Sequence, residues 1–198
     1  IGGEGCGVVE ALGPGITDIE IGDRVAYSSG GHALPRGSYC EKRTMKADRL
    51  IKLPADITDE TAAAMITKGL TAQYLIHDSH PVGENDAVLV HSAAGGVGMI
   101  ISQWAKTFGA HVIGVVSSEE KATFAIEHGC HDVIISKGED IGARAKALTG
   151  GEGVTAVFDA VGADTFEASL AALRPLGRLV AYGSSSGPVP PFDIFRLN

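Results

Sequence analysis

The sequence predicts an α/β fold in which a doubly wound parallel sheet follows a smaller β-rich lobe. From residue 87 onward, short apolar β-branched runs alternate with helical stretches, which is the pattern of parallel strands crossed by helices. These runs are continuously apolar, as expected when helices cover both faces of the sheet. Before Pro54 the chain is rich in glycine and in short alternating segments, which indicate strands joined by tight turns. We therefore expect a β-rich lobe over residues 1–56 and an α/β domain over residues 57–198.

The β-rich lobe contains four predicted strands. They lie at residues 7–12, 22–27, 38–44 and 50–53, with a Gly13-Pro14-Gly15 turn after the first. Thr58, Asp59 and Glu60 are suited to begin a helix over residues 61–66, and a helical pattern resumes after Gly69 over residues 71–76.

The α/β region contains five predicted strands and four predicted helices. The strands lie at residues 88–90, 112–116, 133–135, 154–158 and 179–182, and the helices at 97–108, 119–128, 141–148 and 166–173. Glycines are predicted to end the helices in turn, at Gly109, Gly129, Gly150 and Gly177. A full dinucleotide-binding sheet has six strands. We therefore expect this chain, which begins at Ile1 without methionine, to be a fragment that ends one strand short.

Composition narrows the possible partners. The chain has 198 residues, 44% hydrophobic content and a formal net charge of −8, so a basic surface for nucleic acid is not expected. It has no run of about 18 apolar residues and no signal-peptide layout, so no membrane association is expected. Cys6, Cys40 and Cys130 lie far apart, which predicts neither a disulfide framework nor a zinc knuckle and favours a reducing cytoplasm. A small-molecule partner is the expectation that remains.

A glycine-rich turn is the most informative motif. Residues 93–98 (AAGGVG) follow the apolar run 87–90 and open the helical stretch from Val97. A turn without bulky side chains lets a phosphate approach backbone N–H groups, and the positive end of the helix favours its charge. Ala93 replaces the first glycine of the usual G-x-G-x-x-G pattern. The motif predicts a site for a dinucleotide pyrophosphate.

The end of the second strand of this sheet bears on the choice of nucleotide. An acidic residue about 20 positions past the glycine turn would bind the ribose 2′-hydroxyl of NAD, but here the chain reads Ser117-Ser118 and then Lys121. Serine hydroxyls and an ammonium group can bind a 2′-phosphate, which favours NADPH over NADH. The alternative is that the serines cap the following helix and that Lys121 is a solvated surface charge. Glu119 and Glu120 bring negative charge close by, although both suit a helix N-terminus.

Later strand ends carry further candidates. Residues 159–162 and 182–186 contain small residues at positions where open α/β sheets bind ligands. Ordinary turn chemistry is the alternative for both segments. Tyr74 could stack on a cofactor, although an aromatic residue in a helix more often packs. The seven histidines show no ligand-like pattern with a cysteine, so no metal site is predicted.

Several strings, in order along nearly the whole chain, resemble one family. They are residues 2–7 (GGEGCG), 22–25 (GDRV), 68–72 (KGLTA), 91–98 (HSAAGGVG), 103–106 (QWAK) and 159–162 (DAVG). Together they resemble the medium-chain dehydrogenase/reductase superfamily, and in particular its zinc-free NADPH:quinone oxidoreductase branch, which includes zeta-crystallin-like proteins. The resemblance implies part of a GroES-like catalytic domain joined to a Rossmann domain that binds NADPH, with the cofactor and its acceptor in the cleft between them.

The resemblance also implies roles for individual residues. Gly3 stands where zinc-dependent relatives have a zinc-binding histidine, so no metal is expected. The positions implied for the cofactor are Thr71, Tyr74, Ala94, Gly95, Gly96, Val97, Ser117, Ser118, Lys121, Ser136, Val161, Gly183, Ser184, Ser185 and Ser186. Of these, Gly96 and Val97 would meet the pyrophosphate. Such reductases often have a tyrosine near the adenine phosphate, followed by a basic residue; Ser136 stands in place of the tyrosine, and Lys137 takes the position of the basic residue. Catalytic residues stay unassigned.

The expected activity is hydride transfer from NADPH to a quinone or a similarly activated acceptor. Without a Lewis acid to stabilise an alkoxide, alcohol oxidation is not expected. Two alternatives stay open, namely an enoyl or enone reductase of the same superfamily and an NADPH-binding protein without turnover. The resemblance further implies a homodimer of the full-length protein.

Overall fold

The computed structural model describes residues 1–28 and 37–197. The chain divides into two compact units, residues 1–71 and residues 72–198. The division falls within the first helix, α1 (Asp59–Tyr74). The domain boundary expected between residues 56 and 57 stays a prediction.

The first unit contains a three-stranded antiparallel sheet. Its strands are β1 (Glu4–Val8), β2 (Arg24–Ser28) and β3 (Ile51–Lys52), in the order β1-β2-β3, and Cys6 pairs with Ala26. A 3-10 helix at Ala47–Arg49 precedes β3. The prediction of a strand at residues 38–44 is wrong. The N–H groups of Ser38 and Tyr39 donate to the carbonyl of Ile1, and these residues form no hydrogen-bonded strand pair. The strand predicted at residues 7–12 lies earlier, at β1.

Helix α1 is continuous where the sequence predicts a break at Gly69. Glycine is unfavourable in a helix by only about 1 kcal/mol relative to alanine, which the flanking helix-forming residues offset. The helix continues as a π-helical turn at Leu75–Ser79, closed by the His80 N–H donating to the carbonyl of Leu75 at 3.0 Å. Leu75 and Ile76 are fully buried there, so this turn belongs to the core of the second unit.

The second unit is built on a five-stranded parallel sheet. Its elements in chain order are β4 (Ala87–His91), α2 (Gly96–Thr107), β5 (His111–Val116), α3 (Glu119–Glu127), β6 (Asp132–Ile135), α4 (Ile141–Leu148), β7 (Val154–Asp159), α5 (Phe166–Ala172) and β8 (Leu173–Ala181). The strand order is β6-β5-β4-β7-β8, and every pairing between these neighbours is parallel. This confirms the predicted α/β class with a doubly wound sheet. A 3-10 helix at Ile194–Leu197 follows.

The core of this unit lies on both faces of the sheet. Val88 and Val90 of the central strand β4 face one buried cluster with Ile101 and Phe158, whereas Leu89 between them faces the other. All of these side chains are fully buried. Alternate residues of one strand therefore enter opposite cores, which explains why the strand sequences are apolar without alternation.

Three of the four helix-ending glycines are confirmed. Gly109, Gly129 and Gly150 have φ of 82°, 113° and 65°, in the left-handed region that suits glycine. The prediction for Gly177 is wrong, because α5 ends at Ala172 and β8 begins at once. Its backbone instead needs close approach, since a Cβ there would lie 2.9 Å from the Arg174 carbonyl oxygen and 3.0 Å from that of Val154.

In the described part of the chain, no helix combines the length and the apolar character needed to cross a bilayer.

Candidate cofactor-binding site

The carboxyl ends of the parallel strands share one edge of the sheet. β4, β5, β6, β7 and β8 end at His91, Val116, Ile135, Asp159 and Ala181. The predicted site residues of the second unit that lie beyond α1 follow these ends directly, within one to six positions. Open α/β sheets bind their ligands at this edge, in the crevice between neighbouring loops.

The glycine turn after β4 is tightly closed on itself. The N–H of Gly95 donates to the carbonyl of Ser92 at 2.7 Å, and Ser92 has φ of 52°. A Cβ at Gly98 would lie 2.4 Å from that same carbonyl oxygen, a distance real Cβ atoms do not reach. Helix α2 begins at Gly96 with no side-chain cap, and Gly95 and Gly96 are exposed. The N–H groups of the first turn are thus accessible to an anion.

Ala93 occupies the position of the missing first glycine. Its side chain is buried, and its N–H donates to the carbonyl of Val115 on β5 at 3.2 Å. Gly114 of β5 lies next to the Ala93 side chain, and a Cβ at Gly114 would come 2.9 Å from the Cβ of Ala93. The space that the usual pattern leaves in the turn is therefore provided by β5.

Ser117, Ser118 and Lys121 form one cluster at the end of β5. Lys121 Nζ donates to Ser117 Oγ at 3.3 Å, and the Lys121 N–H donates to Ser118 Oγ at 3.4 Å. Ser118 is the N-cap of α3, as the alternative interpretation of the serines has it, while Ser117 and Lys121 are exposed. Ser136, after β6, donates its N–H to the carbonyl of Val116 at 2.8 Å and so lies beside this cluster.

The loops after β7 and β8 are bound to each other. Ser186 Oγ donates to the carbonyl of Val161 at 2.8 Å and accepts the N–H of Asp164 at 3.0 Å. The N–H groups of Ser185 and Ser186 donate to the carbonyls of Ala160 and Val161. We call residues 160–165 and 182–187 the paired loops, since these bonds join them into one wall.

Glycines permit this close approach of the paired loops. A Cβ at Gly183 would lie 2.6 Å from the Ala160 carbonyl oxygen, and one at Gly162 would lie 2.6 Å from the Gly187 carbonyl oxygen. The structure thus brings Val161, Gly183, Ser184, Ser185 and Ser186 together in one place.

A buried carboxylate holds the first of the paired loops. Asp159 Oδ1 accepts the N–H groups of Val161 at 2.8 Å and Gly162 at 3.2 Å, and the hydroxyl of Thr165 lies 2.7 Å from Oδ2. Ser169 Oγ donates to Oδ2 at 2.8 Å, and Ser169 also lies 2.9 Å from His91 Nε2. These polar side chains are nearly inaccessible to solvent.

The protonation of this buried group follows from its surroundings. Burial alone would raise the pKa of the Asp159 carboxyl, but His91 and the hydrogen bonds from Thr165, Ser169 and Val161 lower it below its ordinary value. Burial lowers the pKa of His91, against the pull of Asp159. A carboxylate beside a neutral imidazole is therefore the resting state at neutral pH.

Sequence reasoning missed His91, Thr165 and Ser169. Thr165 and Ser169 are four residues apart, so they share one side of α5, and that spacing was the available signal. His91 lies 78 residues from Ser169 in the chain, and no local pattern joins them.

Tyr74 and Thr71 are the predicted residues on α1. Tyr74 is exposed and near Tyr182, whose pKa is raised by burial first and then by the charge of Asp159 and by Tyr74. Thr71 lies in the first unit, and its hydroxyl donates to the carbonyl of Thr67 at 2.7 Å.

No donor set for a metal occurs in residues 1–28 and 37–197. Within these ranges no group of three or more His, Cys, Asp or Glu side chains could hold an ion. His32, one of the histidines in the sequence, lies outside the described residues.

Two family models match the chain. Residues 1–82 match the alcohol dehydrogenase GroES-like domain, and residues 96–198 match the zinc-binding dehydrogenase model. The second match covers the glycine turn, except for its first residues, and every later site residue.

The individual proteins that are similar to this chain carry the names of reductases and oxidoreductases. The chain is 44% identical over 196 residues to a 2-haloacrylate reductase of a Burkholderia species, covering 98% of this chain and 58% of that protein. It is 44% identical to a quinone oxidoreductase of Pseudomonas aeruginosa, covering 96% and 57%. Among solved structures, the Escherichia coli quinone oxidoreductase complexed with NADPH matches with a TM-score of 0.94 and 42% identity, over 100% of this chain and 59% of that one. The chain thus spans a little under three fifths of the length of these relatives.

Proposed function

This chain belongs to the zinc-binding dehydrogenase family, in the quinone oxidoreductase branch of the medium-chain dehydrogenase/reductase superfamily, and from that membership we propose that the protein transfers a hydride from NADPH to a quinone or a similarly activated acceptor. The observation that carries the choice of cofactor is the cluster of Ser117, Ser118 and Lys121, in which Ser117 and Lys121 are exposed. It offers hydroxyls and an ammonium group where a carboxylate would select NAD.

Each part of the sheet edge has its own task in this proposal. The N–H groups of Gly96 and Val97, with Ala94 and Gly95 leaving the approach open, hold the pyrophosphate. The cluster after β5, with Ser136 beside it, holds the 2′-phosphate. The remaining cofactor positions are the paired-loop residues Val161, Gly183, Ser184, Ser185 and Ser186, and on α1 Thr71 and Tyr74. When bound, NADPH supplies the hydride, and the protein supplies geometry and a dry surface.

We propose that the reaction needs no zinc. Gly3 stands where the resemblance places a zinc-binding histidine, and the donor side chains of the described residues form no metal site. Without a Lewis acid the acceptor must already be electrophilic. A quinone meets this requirement through its conjugated carbonyl groups, and the hydroquinone anion formed from it can be protonated by solvent.

A second candidate is reduction of an activated alkene. The 2-haloacrylate reductase relative is as similar to this chain as the quinone oxidoreductase of Pseudomonas aeruginosa, at 44% identity each. Enones and haloacrylates are electrophilic at carbon, so the same zinc-free site would serve them.

The cofactor proposal is tested by binding. The protein should bind NADPH more tightly than NADH, and Lys121→Ala should narrow that difference by about 1 kcal/mol or more, which is about fivefold or more in the ratio of the Kd values, the scale of one charge-assisted contact. Lys146→Ala, at an exposed position in the last turn of α4, is the matched control and should leave the difference unchanged. Equal affinities of the unaltered protein for NADPH and NADH would contradict the proposal.

The acceptor is tested by NADPH oxidation with a panel of quinones, enones and 2-haloacrylates. A rate with quinones supports the first candidate, and a rate with alkenes alone supports the second. Tight NADPH binding without any acceptor-dependent rate would identify a binding protein, and zinc-dependent oxidation of simple alcohols would overturn both candidates.

We further propose that the protein works as a homodimer in the cytoplasm. Its three cysteines are free, as suits a reducing compartment. Light scattering after gel filtration tests the dimer, for which a monomer mass at micromolar concentration is the contrary result.

A further inference from the structure

A line of buried side chains crosses the second unit from β4 to the paired loops. It runs from His91 through Ser169 to Asp159, with the 2.9 Å and 2.8 Å contacts given above. His91 is 1% exposed, Asp159 2% and Ser169 0%. None of these side chains can contact a ligand in solution, so any role must be exerted through neighbouring atoms.

The direction of each hydrogen bond is fixed by chemistry. An ionised carboxylate only accepts, so the Ser169 hydroxyl hydrogen points to Asp159. The Ser169 oxygen then accepts from His91 Nε2–H, which defines the neutral Nε2-protonated form of the imidazole. Asp159 thus orients the Ser169 hydroxyl, and Ser169 orients the His91 ring.

The two ends of this line lie under different parts of the candidate site. Asp159 binds the N–H groups of Val161 and Gly162 in the first of the paired loops. His91 is the last residue of β4 and directly precedes Ser92, whose carbonyl closes the glycine turn. The line therefore joins the segment assigned to the pyrophosphate to the segment assigned to the far half of the cofactor.

We propose that His91, Ser169 and Asp159 are positioning residues that hold the paired loops in register with the glycine turn, so that both halves of the cofactor are bound at once. The proposal rests on the proposed function, because it takes NADPH as the ligand. It predicts that breaking the line weakens binding of the complete dinucleotide but not of its adenosine half, which the cluster after β5 holds.

The first experiment compares two buried serines. Ser169→Ala removes the central hydroxyl, and Ser102→Ala removes an equally buried hydroxyl of α2 that accepts from Cys130 Sγ at 3.5 Å. The Kd values of NADPH and of 2′-phosphoadenosine 5′-diphosphate are measured by calorimetry, with unfolding midpoints measured in parallel. We expect Ser169→Ala to raise the NADPH Kd about tenfold, as expected for misplacement of a binding segment, and to leave the Kd of the fragment within about twofold.

The control separates positioning from general damage. Ser102→Ala should lower the unfolding midpoint without changing either Kd. If both variants weaken NADPH and the fragment alike, or if Ser169→Ala leaves NADPH binding unchanged, the positioning role is wrong. If the unaltered protein does not bind NADPH, the proposed function fails instead, so the two failures are distinguishable.

A second pair keeps the test decisive if Ser169→Ala does not fold. His91→Gln retains an N–H donor at the place of Nε2, whereas His91→Leu removes it. Rescue of NADPH affinity by glutamine but not by leucine supports the line of hydrogen bonds. Equal NADPH affinity of the two variants would overturn it.

Discussion

At Gly98 the glycine turn leaves no room for a methyl group. The carbonyl oxygen that a Cβ would meet belongs to Ser92, which already accepts the N–H of Gly95 and cannot rotate away without opening the turn. The local stability of the turn thus depends on the absence of a side chain at Gly98.

We predict that Gly98→Ala lowers the free energy of unfolding by about 2 kcal/mol, the scale of overpacking against a rigid backbone. Gly69→Ala is the matched control, because it lies in α1 with open space around its Cβ position. That variant should gain about 0.5–1 kcal/mol from improved helix propensity. Urea denaturation measures both, and a Gly98→Ala protein as stable as the unaltered one would contradict the geometry of the turn.

The titration of His91 makes the free energy of unfolding depend on pH, and the lowered pKa of His91 determines the sign of that dependence. Burial lowers its pKa in the folded protein from the ordinary 6.5, so the unfolded chain binds more protons just below that value. We predict that the free energy of unfolding falls as the pH drops below about 6.5. His91→Gln should reduce this slope and run parallel to the unaltered protein above pH 7.5, where the imidazole is neutral in both states. Urea titrations at pH 5.5, 6.5 and 7.5 measure it, and an unchanged slope in the variant would exclude His91 as a source.

At the scale of elements, β8 begins irregularly. Its pairing with β7 shifts register between Val154 and Ala156, and Leu176 within the irregular stretch has φ of 62°. Leu176 is fully exposed, so its side chain gains nothing from this conformation. The left-handed region costs an ordinary L-residue roughly 1 kcal/mol, and asparagine tolerates it better.

We therefore predict that Leu176→Asn raises the free energy of unfolding by about 0.5–1 kcal/mol. Leu70→Asn, at an exposed position of α1 with helical backbone, is the control and should lose about 0.5 kcal/mol through helix propensity. Thermal unfolding of the two variants distinguishes them, and a loss of stability in both would show that Leu176 is not strained.

Predictability at this scale depends on burial. The strands β4, β5, β6 and β7 were predictable to within one or two residues, because both of their faces enter a core. The first half of β8 was not, since Arg174 and Leu176 are exposed and the pairing with β7 is irregular there. Residues 38–44 alternate like a strand, but the N–H groups of Ser38 and Tyr39 donate to Ile1, a long-range contact that alternation does not encode.

At the scale of the whole molecule, the two units differ in their cores. The buried apolar residues in the described part of the first unit are Ile19, Val25, Ala26, Tyr27 and Ala62. The second unit has two clusters around a central sheet. More apolar burial around a strand makes its opening more costly.

We predict that amides of β4, β5 and β7 exchange with deuterium at least tenfold more slowly than those of β1 and β2. Local opening free energies that differ by 1.4 kcal/mol already give this ratio, and the difference in burial favours more. Hydrogen exchange with mass spectrometry measures it, with peptides of α3, at the surface of the same unit, as an internal reference. Equal protection of β1 and β4 would mean that the chain opens only as one cooperative body.

The place of the candidate site followed from topology more than from any motif. Once parallel strands were expected, Ser117, Val161 and Gly183 had to lie at their carboxyl ends. The sequence could not predict the buried contacts beneath the site. His91 and Ser169 come into contact only through folding, and Gly114 provides the space that Ala93 would otherwise lack.

The paired loops set a rule for anyone who transplants cofactor specificity between relatives. A single hydroxyl, Ser186 Oγ, holds Val161 and Asp164 of the neighbouring loop, and Gly162 and Gly183 interlock against backbone from the opposite side. If residues 160–165 alone were transplanted, the host protein would keep its own residues 182–187, and these contacts would not form. The two segments therefore form one unit for transfer, although 16 residues that include all of α5 and all of β8 separate them in the chain.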